Sequence, residues 1–173
     1  MDTAYKCRVR KPWWRVPVLE PADLLLTYMN ADTARLTTNQ ASALHLNSVH
    51  GVYLKPEVRD VAREVLPVAS LNSVTLLGAE LVGRSYGGGV LKIEPREADR
   101  WWMPSVVTMT KHRDALVELK PRVQRLLQTK NLLGAVALVD EVILGDLSEA
   151  QLRAVRDDHA AFMQRRVTRG KSG

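Results

Sequence analysis

The sequence predicts an α+β fold, a small mixed strand-helix domain followed by a C-terminal helical unit. Three observations carry that expectation. Short alternating segments crowd residues 1–55, helical apolar spacing dominates after Pro104, and 46% hydrophobic content over 173 residues suffices for one core or a core with an appended helical unit. The expected divisions are 1–105 for the strand-rich domain, 106–167 for the helical unit and 168–173 for a basic, disordered tail.

Taken in order, Tyr5-Lys-Cys-Arg-Val-Arg10 alternates apolar and basic residues, the period of a strand burying Tyr5, Cys7 and Val9 and presenting Lys6, Arg8 and Arg10. That basic face is either a phosphate-contacting stripe or a solvated strand face. Lys11-Pro-Trp-Trp14 then turns the chain, and Trp13 and Trp14 either pack at the bend or stack on a base. Arg15 to Glu20 and Asp23 to Tyr28 have strand character, and Arg35 to Thr38, Ala43 to Asn47 and Gly51 to Leu54 continue it more weakly.

Pro56 suits a first helical turn, and Val58, Val61, Ala62 and Val65 recur at helical spacing until Pro67, expected to stop the run. A second helix is expected from Asn72 to Val82, with Val74, Leu77 and Leu81 on one side and Gly83 as its cap. Gly87-Gly88-Gly89 leads into an alternating strand, Val90 to Glu94, and Pro95 opens a short helix ending near Trp101-Trp102. Leu116, Leu119, Val123, Leu126 and Leu127 form one helical stripe and Leu132, Val136, Val139 and Ile143 another. Ser148 with Gln151 has the spacing of a capping box, opening a last helix that turns Leu152, Val155 and Phe162 inward.

The formal charge is +6, and its distribution points to a polyanionic partner. Lys6, Arg8, Arg10, Lys11 and Arg15 face one acid, Asp2, at the start; Arg165, Arg166, Arg169 and Lys171 crowd the end. The lone Cys7 forms no internal disulfide and offers no zinc cluster, and the apolar run Leu132 to Leu144 is broken by Asp140 and Glu141. A cytoplasmic protein without membrane attachment is therefore expected. The histidines His45, His50, His112 and His159 fall in separate segments, so no metal site is expected. There is no glycine-rich strand-to-helix turn near the start, no Asn-Pro-Pro-Tyr-like loop, no Walker lysine and no nucleophile elbow. The chain is not expected to be an enzyme by itself, and no cofactor is expected on it.

Three stretches in order carry a family resemblance. They are Tyr5 to Pro17 with its Lys-Pro-Trp-Trp-Arg core, Thr38-Asn39 followed by Leu44-His45, and Leu71-Asn-Ser-Val-Thr75 continuing through Glu80-Leu-Val-Gly-Arg-Ser-Tyr-Gly-Gly-Gly-Val-Leu91 to Glu94-Pro95. Together with Leu138-Val-Asp-Glu-Val-Ile-Leu144 they resemble the C-terminal target-recognition region of adenine-specific DNA methyltransferases of restriction-modification and phage-defence systems. The upstream catalytic domain has no counterpart here, and Trp101-Trp102 stands where that family usually has smaller aliphatic residues.

The resemblance implies a sequence-specific DNA-recognition module or specificity subunit, acting on double-stranded DNA with a separate catalytic chain or domain that holds S-adenosylmethionine. The alternative is an accessory scaffold that docks a restriction-modification or phage-defence enzyme through its helical end. On the first reading, Lys6, Arg8, Arg10, Lys11 and Arg15 contact the DNA backbone. Arg84, Ser85 and Tyr86 with the three glycines form a tight turn at which Arg84 contacts guanine or phosphate, or else the turn is purely architectural with Tyr86 packed beneath it. Asn39 and His45 reach a base edge from a loop, or Asn39 caps a turn.

Overall fold

The structure, a computed structural model, describes residues 5–10, 12, 14 and 19–171. It is a mixed α+β fold with two small antiparallel sheets and a larger helical complement. The expected strand at Tyr5 to Arg10 is instead a five-residue helix, α1 (Tyr5–Val9), with Tyr5 and Val9 exposed. Among the described residues no strand pairs with this segment, and an unpaired strand leaves its backbone groups to water, whereas a helical turn bonds to itself. The alternation therefore buries nothing here. The stretch expected as a strand at Arg15 to Glu20 falls largely outside the described residues, as does Trp13.

The first sheet is β3-β1-β4, with β1 (Leu24–Thr27) central between β3 (Leu36–Thr38) and β4 (Val49–Val52). Leu24 lies opposite both Thr38 and Val52, and alternation along β1 buries Leu24 and Leu26. Each fully buried leucine contributes about 2 kcal/mol of apolar transfer. The expected strand at Ala43 to Asn47 is a loop, since that stretch has no partner edge. The second sheet is β2-β6-β5, formed by β2 (Met29–Asn30), β5 (Arg84–Tyr86) and β6 (Val90–Lys92).

Helix α2 (Pro56–Ala69) begins at its proline as expected but continues through Pro67. Proline cannot donate to the carbonyl one turn back, which here is Arg63's. The Thr38 hydroxyl takes that place, donating to the Arg63 carbonyl at 2.7 Å. A strand residue thus completes a helix bond that the helix sequence omits, which removes one reason for Pro67 to end the run.

Helix α3 (Ser73–Val82) starts at Asn72, whose side chain accepts from the Thr75 N–H at 3.0 Å. Its buried face is Ser73, Thr75, Leu76, Gly78 and Ala79, so the expected face of Val74, Leu77 and Leu81 is corrected: Leu81 is exposed. The reason is packing. Trp101 and Trp102 lie against Gly78, and the buried Trp101 indole donates to the Thr75 carbonyl at 2.7 Å. The short α4 (Pro95–Ala98) and α5 (Val106–Lys111) lead into α6 (Arg113–Gln128) and α7 (Leu132–Ile143). One core packs Leu24, Val65, Leu116, Val123 and Val139 between the first sheet, α2, α6 and α7; a second holds Leu26, Ala79, Leu91, Ile93 and Trp101.

Helix α8 (Glu149–Lys171) opens with the expected capping box: the Ser148 N–H donates to the Gln151 side chain at 2.9 Å and the Gln151 N–H to Ser148 Oγ at 3.3 Å. It remains helical through residues 168–171, where disorder was expected, because it docks along α3 and the glycine turn. Leu152, Val155 and Phe162 are half-buried, while the fully buried positions on the same face are polar, His159 and Arg166. Arg166 pairs with buried Glu80 in a fork (2.8 and 3.0 Å) and donates to the carbonyls of Gly89 and Asp32. Arg156 pairs at 2.7 Å with Asp140, which also accepts from Ser73 N–H and Oγ at 2.7 and 2.6 Å. No single helix among the described residues is long and apolar enough to cross a membrane.

Candidate nucleic-acid interface

The glycine-rich block forms a hairpin. Strands β5 and β6 pair with Arg84 opposite Lys92, Ser85 opposite Leu91 and Tyr86 opposite Val90. The turn between them, Gly87 to Gly89, needs φ of +72° at Gly88 and +75° at Gly89, values that disfavour any side chain. Gly87 and Gly88 face open space, whereas Gly89 is buried against α8: a Cβ there would lie 2.9 Å from the Val167 Cα. One end of the turn is therefore open to a ligand and the other is anchored.

Because residues opposite each other on paired strands share a face, Arg84 and Lys92 lie together and Ser85 sits with buried Leu91. Arg84, Ser85 and Tyr86 are all exposed, so Tyr86 does not pack beneath the turn. The Lys92 ammonium lies 5.1 Å from the Tyr28 ring centre and 5.4 Å from that of Tyr86. It also pairs with Glu94 at 2.7 Å, and Tyr28 donates to the same carboxylate at 3.1 Å. The hydrogen bond with Glu94, then that with Tyr28, holds the Lys92 ammonium well above its usual range; the Lys92 bond holds the Glu94 carboxyl below its own. Arg84 pairs with Glu97, whose other oxygen accepts from the Glu94 N–H at 2.8 Å and caps α4. The outcome is an aromatic-flanked face on which each cation, Arg84 and Lys92, is paired with a carboxylate from the following helix or its cap. Lys92 and Tyr28 were not singled out from the sequence, although the alternation of Val90-Leu-Lys-Ile already places Lys92 opposite in facing to Leu91.

The other candidates separate. Asn39 is buried: its amide donates to the carbonyls of Ala22 (2.9 Å) and Ala43 (3.0 Å), and its oxygen accepts from the Ala43 N–H at 2.9 Å. Both amide donors are spent on turn backbone, so the turn-capping role is the one realised and none is left for a base edge. His45 has its ring over Gly51 and 6.5 Å from that of Tyr53. Arg8 is exposed and Arg10 half-buried, and Arg8 lies on α1, not on a strand face. Lys11, Arg15 and the side chain of Lys6 lie outside the described residues. Of the basic C-terminal residues, Arg166 is consumed internally. No group of three or more His, Cys, Asp or Glu among the described residues could hold a metal ion.

Comparison with known proteins places these features. The family described as Type II methyltransferase M.Eco57I, C-terminal domain, matches residues 1–144. A relative, the Type II methyltransferase M.XamI of Xanthomonas campestris pv. amaranthicola, is 36% identical over 109 residues, covering 61% of this chain and 19% of that protein. The matched segment thus spans about a fifth of the relative's length. No solved structure matches. The matched stretch contains both sheets, the glycine hairpin and α2 to α7, and the chain belongs to the M.Eco57I C-terminal domain family of Type II methyltransferases.

Proposed function

We propose that this chain is the sequence-specific DNA-recognition module of an adenine-specific DNA methyltransferase, working with a separate catalytic chain or domain. The observation that carries the reading is the family match to the C-terminal domain alone, on a chain whose most distinctive block folds into a hairpin with Arg84 and Tyr86 exposed beside half-buried Lys92. Arginine and lysine suit phosphate contact, and exposed tyrosine suits stacking or groove contact. S-adenosylmethionine belongs to the catalytic partner on this reading. The glycine turn here joins two antiparallel strands, not a strand and a helix, so its geometry does not fit a cofactor cradle and no step of the reaction is assigned to this chain.

The test is binding of a labelled duplex by fluorescence anisotropy across a salt series. Affinity should fall steeply with salt, and Arg84→Ala and the pair Arg8→Glu with Arg10→Glu should each weaken it. The chain alone should transfer no label from S-adenosylmethionine to DNA, whereas adding the catalytic chain should give transfer. Salt-insensitive or absent DNA binding together with tight association to the catalytic chain would favour the scaffold alternative instead.

A further inference from the structure

A second concave surface lies away from the residues the sequence singled out. It is an open groove of about 1220 Å³ between the edge strand β3, α2 and α6. Five cations line it, Arg35, Arg59, Arg63, Arg113 and Lys120, against two carboxylates, Asp60 and Glu64. Three glutamines, Gln40, Gln124 and Gln128, are exposed along its walls. Glutamine is the side chain that pairs in bidentate fashion with an adenine edge, and arginine and lysine are those that neutralise phosphates.

The ion pairs hold the cations in place without cancelling them all. Asp23, almost buried, forms ion pairs with both Arg59 and Arg63 at 3.3 Å, so one carboxylate serves two guanidiniums. Arg113 is held by Asp60 at 3.1 Å and Glu64 at 2.5 Å, and Arg35 by Asp32. Lys120 has no ion pair or hydrogen bond among the described residues, and the buried Arg35 Nε has no acceptor. The Lys120 ammonium therefore remains available to an anion, and the buried guanidinium N–H of Arg35 without an acceptor costs stability. The Asp32 that holds Arg35 offers its carbonyl to Arg166, which also bonds the Gly89 carbonyl of the hairpin. The Arg35 rim of the groove and the glycine turn are thus joined through one buried arginine.

We infer that this groove receives a strand of the DNA, with Arg59, Arg63 and Lys120 on phosphates and the glutamines placed to contact base edges. The inference rests on the DNA-recognition reading above and deepens it by assigning the surface. It places the main backbone contacts on two helices distant in sequence, α2 and α6, in addition to the hairpin.

The test compares charge-matched double variants of the whole chain against a labelled mixed-sequence duplex over a salt series. Arg59→Gln with Lys120→Gln removes two groove cations; Arg122→Gln with Arg125→Gln removes two from the neighbouring surface of α6, outside the groove. The groove pair should bind at least ten-fold more weakly and lower the log-log salt slope by about 1.8, at about 0.9 per phosphate contact. The control pair should stay within about two-fold of wild type, with circular dichroism unchanged in both. If Arg59→Gln disturbs folding by unbalancing Asp23, Lys120→Gln alone should still lower the slope by about 0.9. Equal weakening by both pairs would reduce the effect to net charge and overturn the groove. So would a groove variant that binds like wild type while Arg84→Ala binds weakly, though that result leaves DNA recognition standing. Absence of salt-dependent binding by the wild type removes both readings together.

Discussion

The Thr38 hydroxyl and Pro67 act on one carbonyl, and that coupling is measurable. In the native chain the Arg63 carbonyl lacks its helical partner because residue 67 is proline, and Thr38 Oγ1 donates to it at 2.7 Å. Thr38→Val removes the donor at nearly constant volume and strands a partly buried carbonyl. The cost should be about 1–3 kcal/mol, the range for a polar group left unsatisfied. In a Pro67→Ala background, the backbone N–H that the substitution restores can reach the Arg63 carbonyl and close the i to i−4 bond. There Thr38→Val should cost under about 0.5 kcal/mol, the size of an ordinary exposed substitution. The coupling energy is therefore roughly 0.5–3 kcal/mol, the span seen for residues sharing a partner. With a urea slope of about 2 kcal/mol per molar, Thr38→Val should lower the midpoint by roughly 0.5–1.5 M in the native background and scarcely in the Pro67→Ala background. Equilibrium urea unfolding of the four proteins, followed by far-ultraviolet circular dichroism, completes the cycle. An equal cost of Thr38→Val in both backgrounds would refute the account and make the hydroxyl merely a surface contact.

Two further predictions concern the last helix. Gly88 and Gly89 have nearly the same positive φ, but only Gly89 meets α8, so Gly88→Ala should cost about 1–2 kcal/mol for the left-handed backbone alone. Gly89→Ala should add about 1–3 kcal/mol of overpacking against Val167, and equal urea midpoints for the two variants would contradict the close crossing. His159 is buried with no partner on Nε2, and burial, reinforced by nearby Arg166 and opposed by Glu80, lowers its pKa below 6.5. With the folded value depressed, the unfolded chain binds the extra proton first. Stability is then full above the unfolded pKa and declines as pH falls through about 6.5 toward the lower folded value. The urea midpoint should drop between about pH 7.5 and 5.5, and His159→Gln should flatten that particular decline; an unchanged pH profile would count against a buried, neutral imidazole.

Much of the architecture is written locally. Apolar spacing identifies α6 and α7, the Ser148–Gln151 box opens α8, Pro56 and Pro95 open their helices, and three consecutive glycines mark the hairpin turn. Each is a near-neighbour effect of side-chain volume, capping or backbone freedom, so a single stretch of chain suffices to state it. The basic block at Lys6 to Arg10 shows the opposite limit: period-two alternation suits a strand, but a strand forms only where a partner edge exists, and none of the described strands offers one.

Tertiary structure decided which charges remain available to a partner. Arg166 looks from its neighbours like part of a basic tail, yet Glu80, Gly89 and Asp32, remote in sequence, consume it; Asn39 looks like a reader and is spent on a turn. Conversely Lys92 gains its setting from Tyr28 and Tyr86, and the groove arises only when β3, α2 and α6 meet. The amino-acid sequence by itself determined the helix caps, the glycine turn and the family resemblance. Which cations are buried as struts and which face outward was settled by long-range pairing, because the cost of burying a charge depends on the partner that the fold brings to it.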